Sequence, residues 1–249
     1  MKLGLVNTTH LTGSALEKYK QYYIDLGVDE FRIQHFNPKE HPDLHTTTQV
    51  DLQKEYLDSS REYFREQGVD WFIHVDSDEF WYSPLQKNLK EYLKQVPDDV
   101  QCIKPELREY VPDSKNYFRV LMGDEDYPFK LRNDEDLGDI FFQRKFFRGT
   151  VSTKFAIRTN SDAELKVHHP CCHSHKCDDW RLLHFDVIDE EHYETKWRRK
   201  QETLDFNRTW KTHFKYSDKH TPPNKDELWR LKKLGIVEQF DIDPPIYIK

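Results

Sequence analysis

At 249 residues, 36% of them hydrophobic and 33% charged, the chain has the length for one sizeable domain, and two full domains would be a squeeze. An aromatic content of 14% supplies large side chains for a core and argues against disorder. The net charge of -7 without a long Lys or Arg block argues against a nucleic-acid footprint, and no apolar run reaches the roughly 18 residues of a membrane span.

Leu3–Val6 is a short apolar run that ends in the turn-prone Asn7-Thr8-Thr9, which predicts a buried strand opening into a loop. A helix is expected next, begun by a Ser14/Glu17 capping box, burying Leu16, Tyr19, Tyr23 and Leu26, and stopped by Gly27. A second strand is expected over Phe31–Phe36 and a long helix from Thr48 to Gln67 ended by Gly68, and Trp71–Val75 then reads as a third strand. Strand and helix alternating in this way favours right-handed crossovers onto a parallel sheet.

Further on, the pattern predicts a helix over Leu85–Val96 and a strand near Val100–Ile103. Residues 104–140 are rich in Pro and Asp with little periodicity, and strand-like runs recur around Phe141–Phe142, Phe146–Phe147, Phe155–Ile157 and Val167. A helix is expected from Asp189 to Trp210. A second capping box, Asn224 with Glu227, opens a short helix that stops at Gly235, and the segment from Asp241 to Pro245 reads as a linker, as in a domain excised from a larger polypeptide with further domains. The opening apolar run is too short for a signal sequence, and four cysteines, three of them bunched at 171, 172 and 177, do not form a secreted disulfide framework. Both features lead us to expect a cytoplasmic protein.

The most informative passage is Trp71-Phe72-Ile73-His74-Val75-Asp76-Ser77-Asp78-Glu79-Phe80-Trp81, an apolar strand running straight into three acids within four residues. Like charges at that density must be hydrated, protonated or neutralised by a cation, and the carboxyl edge of a parallel sheet is where open α/β folds bind ligands. Oxygen-only ligation suits Mg²⁺ or Mn²⁺, which bridge protein carboxylates to substrate phosphates. The bland alternative is a solvated turn whose acids merely end a strand.

Trp-Phe-x-x-x-Asp-x-Asp-Glu-Phe after a Gly-Val-Asp turn resembles the signature of family 2-like glycosyltransferases of the GT-A fold. The opening Leu-Val-Asn-Thr is similar to the donor-binding start of that fold, and the passage from Tyr22 to Phe31 to its helix-to-second-strand step. Lys154–Arg158, His168-His169-Pro170, Leu183-His184-Phe185 and Lys196 look like its later landmarks, so the resemblance covers residues 1–200. The Lys- and Asp-rich character also resembles glycosyltransferase domains of large algal viruses. Thr8 stands where relatives often carry an acid, and the Gln-x-x-Arg-Trp pattern of processive synthases is not evident.

The resemblance implies an α/β GT-A fold, with a mixed, mainly parallel central sheet flanked by helices. It implies a donor-binding half over residues 1–103, an acceptor half over 104–213, and a C-terminal helical extension or linker over 214–249. The implied activity moves a sugar from a nucleotide-diphosphate donor, UDP by default, to a hydroxyl of a glycan or glycoconjugate acceptor, with Mn²⁺ or Mg²⁺ assisting departure of the diphosphate. Carried over residue by residue, Asp78 binds the metal directly, Asp76 approaches the ribose or the metal, and His168 or His169 completes the shell, with His184 in reserve.

Asn7, Thr8 and Thr9 are candidate contacts to base and ribose, and Ser77 belongs with them on the donor side. Lys54, Arg61 and Lys154 are candidates for the pyrophosphate, a salt bridge on a helix face being the alternative for each. An inverting enzyme also needs a carboxylate base, for which Asp178 and Asp179 are candidates if they are more than surface acids.

Two rival readings remain. His168, His169, Cys171, Cys172, His173, His175 and Cys177 crowd into ten residues, a ligand density that could make the chain a non-catalytic, zinc-containing binding module. The same acids could also serve a metal-dependent nucleotidyltransferase or phosphohydrolase. No Gly-x-x-x-x-Gly-Lys loop is present, and 8 Gly in all disfavour a kinase or Rossmann dehydrogenase.

Overall fold

Three strands, the buried Leu3–Thr9 (β1) and Trp71–Asp76 (β3) and the half-buried Glu30–His35 (β2), lie side by side in the computed structural model of the chain, with β1 pairing in parallel with both neighbours. The structure describes residues 1–9, 11–35, 49–83, 85, 88–110, 116–120, 154–167, 174–185, 226, 229–230, 233 and 237–241. Between the strands run two helices, Gly13–Asp25 (α1) and Gln49–Glu66 (α2), in the order strand, helix, strand, helix, strand that the sequence pattern predicts. The remaining elements are Glu79–Tyr82 (β4), Leu89–Leu93 (α3), Cys102–Tyr110 (β5), Asn116–Val120 (β6), Phe155–Arg158 (β7), Ser174–His184 (β8) and Val237–Asp241 (β9).

The chain divides into two compact units. One comprises Met1–Leu107, Ser152–Leu183 and Pro245–Lys249, the other Arg108–Val151 and His184–Pro244. In the first unit the strand order is β2-β1-β3-β7-β5, and β8 pairs with β4 and β5. The sheet is therefore mixed: parallel across β2, β1 and β3, antiparallel where β7 joins β3 and β5. In the second unit the end of β5 pairs with β6 through Glu109↔Phe118, and β6 pairs with β9, all antiparallel.

Strand alternation sorts the core into two layers. Val6 and Phe72 join Leu57 and Phe64 of α2, and Phe155, Ile157, Ala163 and Leu165 close that cluster. On the other face Asn7 bonds to Tyr19 of α1, whose neighbour Tyr23 is also fully buried. Gly4 lets α2 approach, because a Cβ there would meet the Phe64 ring at 2.8 Å. Gly27 ends α1 with φ 98°, and a side chain at that position would also collide with Asn88 and Lys90.

Several local expectations are corrected. Helix α1 starts at Gly13 with Thr12 as its N-cap and no side-chain cap bond, so Ser14 and Glu17 form no capping box; Glu17 instead faces Lys20 at 3.4 Å. Helix α3 covers Leu89–Leu93 rather than Leu85–Val96, because the Asn88 side chain caps it by accepting the Glu91 N–H at 3.0 Å, and Leu85 is exposed. Strand β5 continues to Tyr110, past the predicted end at Ile103. Val167 lies outside any strand, and Asp241, read as the start of a linker, ends β9. The runs at Phe141–Phe142 and Phe146–Phe147 and the helix over 189–210 fall outside the described residues, whereas residues 226, 229–230 and 233 are helical. No helix among the described residues is long and apolar enough to cross a membrane.

Candidate functional site

Strand β3 buries Trp71 to Val75 completely and emerges from the core at Asp76. Ser77 and Asp78 form a tight turn into β4, so the acids stand at the carboxyl end of a parallel strand. Two tyrosines of α1 fasten the far side of this turn: Tyr23 donates its hydroxyl to the Glu79 carbonyl at 2.7 Å, and Tyr22 donates to the Trp81 carbonyl at 2.8 Å. Burial holds both phenols above their ordinary pKa, so they remain donors at neutral pH.

Asp76 is held from two sides. The Glu79 carboxylate, nearly fully buried, accepts the Asp76 backbone N–H at 2.8 Å. Lys154, immediately before β7, brings its ammonium within 3.0 Å of Asp76 Oδ2 and donates to the Val167 carbonyl at 3.4 Å. Burial is the largest influence on Lys154 and pulls its pKa down, but Asp76, Glu79 and Asp78 together outweigh it and raise the pKa, so the lysine is charged. Three carboxylates thus face one ammonium, and the balance is negative.

In the parallel register Asp76 stands beside Thr8, and Thr8 beside Gln34, which makes a half-buried polar row across the carboxyl ends of β3, β1 and β2. The neighbours of Thr8 point the other way. Asn7 is fully buried, its amide donating to the Val75 carbonyl at 2.9 Å and to the Tyr19 hydroxyl at 3.1 Å, and Thr9 is buried with Oγ1 accepting the Leu11 N–H. Of the three predicted base and ribose contacts, the register places Thr8 beside the acids, while Asn7 and Thr9 brace the strand end.

The predicted cations are separated. Lys54 pairs with Asp58 at 2.9 Å, and Arg61 donates to the Ala163 carbonyl at 2.6 Å while lying 3.7 Å from Asp58, so both are engaged along α2. Lys154 is drawn to Asp76. Asp178 and Asp179 lie on β8, where Asp179 is exposed, and His184 is half-buried at the end of that strand. His168 and His169 lie outside the described residues, as do Cys171, Cys172 and His173. Cys177 is buried and donates its thiol to the Tyr92 hydroxyl at 2.9 Å.

The fit of a divalent cation turns on Asp76. Its Oδ1 is buried without a hydrogen-bond partner while Oδ2 is taken by Lys154, and such an orphaned carboxylate oxygen suits a hard cation. Among the described residues no set of three His, Cys, Asp or Glu converges as a cage. The residues fit a cation that draws the rest of its shell from phosphate and water, as Mg²⁺ characteristically does.

No protein-family model and no curated protein sequence matches the chain. Among solved structures it is similar to a glycosyltransferase involved in the glycosylation of the major capsid of PBCV-1, with 14% identity and a TM-score of 0.28 over 43% of this chain and 52% of that one. The match thus spans about half the length of that enzyme. It is also similar to the STIV protein A197, with 11% identity and a TM-score of 0.40 over 74% and 86% of the two chains. A third likeness is to a CMP:2-keto-3-deoxy-manno-octonic acid synthetase complexed with CTP, with 12% identity and a TM-score of 0.29 over 98% and 94%.

Two features of that site went unread in the sequence, where Lys154 is a candidate for the pyrophosphate: the reach of Glu79 to the strand end and the burial of Lys154 against Asp76. Glu79 was visible as the third acid, and its position just after a two-residue turn is the signal that it reaches back to the strand end. The burial of Lys154 against Asp76 had no local signal, since the two residues meet only through the β3–β7 pairing.

Proposed function

We propose that the chain is a glycosyltransferase that moves a sugar from a nucleotide-diphosphate donor, with UDP the first candidate, to a hydroxyl of a glycan or glycoconjugate acceptor. The observation that carries this reading is the acid turn Asp76–Glu79 at the carboxyl edge of the parallel strands, with the orphaned Asp76 Oδ1 within it. Asp78 and Asp76 would hold Mn²⁺ or Mg²⁺. When bound, the ion supplies Lewis-acid neutralisation of the charge that grows on the departing diphosphate.

The chain's own residues perform the remaining tasks. Glu79 and Lys154 fix Asp76, Thr8 and Ser77 line the approach to the donor, and the tyrosines of α1 keep the turn rigid. Rigid placement of charge before the reaction is what makes such groups effective, because no reorganisation is needed in the transition state. Asp179, exposed on β8, and Asp178 remain the candidates for a base in an inverting reaction.

The test is calorimetric titration of UDP and several UDP-sugars into the protein with Mn²⁺, with Mg²⁺ and with chelator, repeated on Asp78→Ala. Metal-dependent binding that the substitution abolishes supports the reading, and a folded Asp78→Ala protein with undiminished donor binding sinks it. Product analysis separates the rival chemistry: sugar transfer or slow release of the sugar against cleavage within the phosphates, as a nucleotidyltransferase or phosphohydrolase would give.

A further inference from the structure

A lysine that receives a donor phosphate must present its charge to the ligand. Lys154 does not, being 1% exposed with Nζ 3.0 Å from Asp76 Oδ2 and 3.4 Å from the Val167 carbonyl. An ion pair so placed needs a reason, since taking an ammonium out of water is costly and an apolar residue of similar volume packs at least as well. The reason lies in what the pair does to Asp76. One carboxylate oxygen is occupied and the other is left without a hydrogen-bond partner, while Glu79 fixes the backbone of the same residue at 2.8 Å.

We propose that Lys154 is a positioning residue for the donor site: it occupies Asp76 Oδ2 and so limits a divalent cation to Oδ1. By cancelling one carboxylate charge it also keeps the protein alone a weak binder of that cation, so that the donor's diphosphate has to complete the site. This inference rests on the glycosyltransferase reading above. It follows from charge and ligand number. The carboxylates of Asp76, Asp78 and Glu79, less the ammonium 3.0 Å from Asp76 Oδ2, attract a divalent ion modestly, and Asp76 and Asp78 supply too few oxygens for a hard cation that takes six. A diphosphate adds both oxygens and negative charge. Removing the ammonium would add a full charge to the turn and strengthen binding of the bare ion.

The experiment measures binding of Mn²⁺ alone to the full chain from the loss of the free-ion electron paramagnetic resonance signal, with and without UDP, in the native protein, Lys154→Met and Lys154→Gln. Circular dichroism establishes that each variant is folded. The native protein is expected to bind Mn²⁺ weakly alone and more tightly with UDP. The variants should bind Mn²⁺ alone more tightly, by on the order of tenfold given the close approach of the removed charge, and gain less from UDP. A folded variant with unchanged or lower affinity for Mn²⁺ alone overturns the proposal, and the donor-site reading survives if the native protein still binds Mn²⁺ with UDP. A native protein that binds neither overturns both. Failure of both variants to fold overturns the proposal too, since Lys154 would then serve the fold and not the site.

Discussion

The Glu79 carboxylate reaches back across the Ser77–Asp78 turn to accept the Asp76 backbone N–H at 2.8 Å, so one acid of the cluster sets the backbone of another. Glu79 is only 5% exposed and the bond is partly buried, so deleting the side chain leaves that N–H short of an acceptor. Glu79→Ala should cost about 1–3 kcal/mol in urea denaturation, the range for an orphaned buried polar group. Glu79→Gln should retain most of the stability, because the amide oxygen still accepts. Equal stability of Glu79→Ala and the native protein would show that the bond does not hold the turn.

Gly4 and Phe64 report on the layer beneath the site. A Cβ on Gly4 would approach Phe64 Cζ to 2.8 Å and Cε1 to 2.9 Å, closer than side-chain atoms normally come. Gly4→Ala should therefore destabilise by about 1–3 kcal/mol, as overpacking of a filled core does. Phe64→Leu removes the colliding ring, so the double variant should lose less than the sum of the two single losses. Additive losses in the double-mutant cycle would refute the contact.

The first three strands and the two helices between them were legible because each announces itself locally. Leu3–Val6 and Trp71–Val75 are continuous apolar runs, and Gly27 and Gly68 stop the helices with positive φ. The short β4 was hidden by its length of four residues and by the acids before it. Strand β8 was hidden because Ser174–His184 mixes Cys, His and Asp in a way that reads as a ligand loop. The pattern of acids located the turn, yet only the tertiary structure could show that Asn7 is a brace and that Lys54 and Arg61 are bound along α2. Such roles depend on which elements cross, and sequence spacing does not encode that.

Cys177 tests the zinc reading. Its thiol is buried against Tyr92, and burial, outweighing the hydrogen bonds made to it, raises its pKa above the ordinary thiol value. A thiol held protonated is a poor nucleophile and a poor metal ligand. Peptide mapping after brief alkylation at neutral pH should find Cys177 unmodified in the native protein and modified once it is unfolded. Cys177→Ala should leave the metal content of the purified chain unchanged. A loss of bound zinc in that variant would support the binding-module reading.

Asp29 ties the starts of β1 and β2 to α3, and its charge makes stability depend on pH. Its Oδ2 accepts the Leu3 N–H at 2.8 Å and its Oδ1 the Lys90 ammonium at 2.7 Å. Burial pushes the carboxyl pKa up, but the bonds from Lys90 and Leu3 and the charges of Lys90 and the N-terminus outweigh it and lower the pKa below 3.8. A carboxylate whose pKa is lower in the folded than in the unfolded state contributes stability above the unfolded value, and that contribution is lost as pH falls through the folded value. With 36% of the Asp29 side chain exposed, solvent screening limits the contribution to about 1 kcal/mol or less. Asp29→Asn should accordingly be less stable than the native protein at pH 7, and the gap should close below about pH 4, near the ordinary carboxylate value. Denaturant melts of both proteins at intervals from pH 7 to pH 3 check this, and a gap that stays constant across that range would assign the loss to packing rather than to charge.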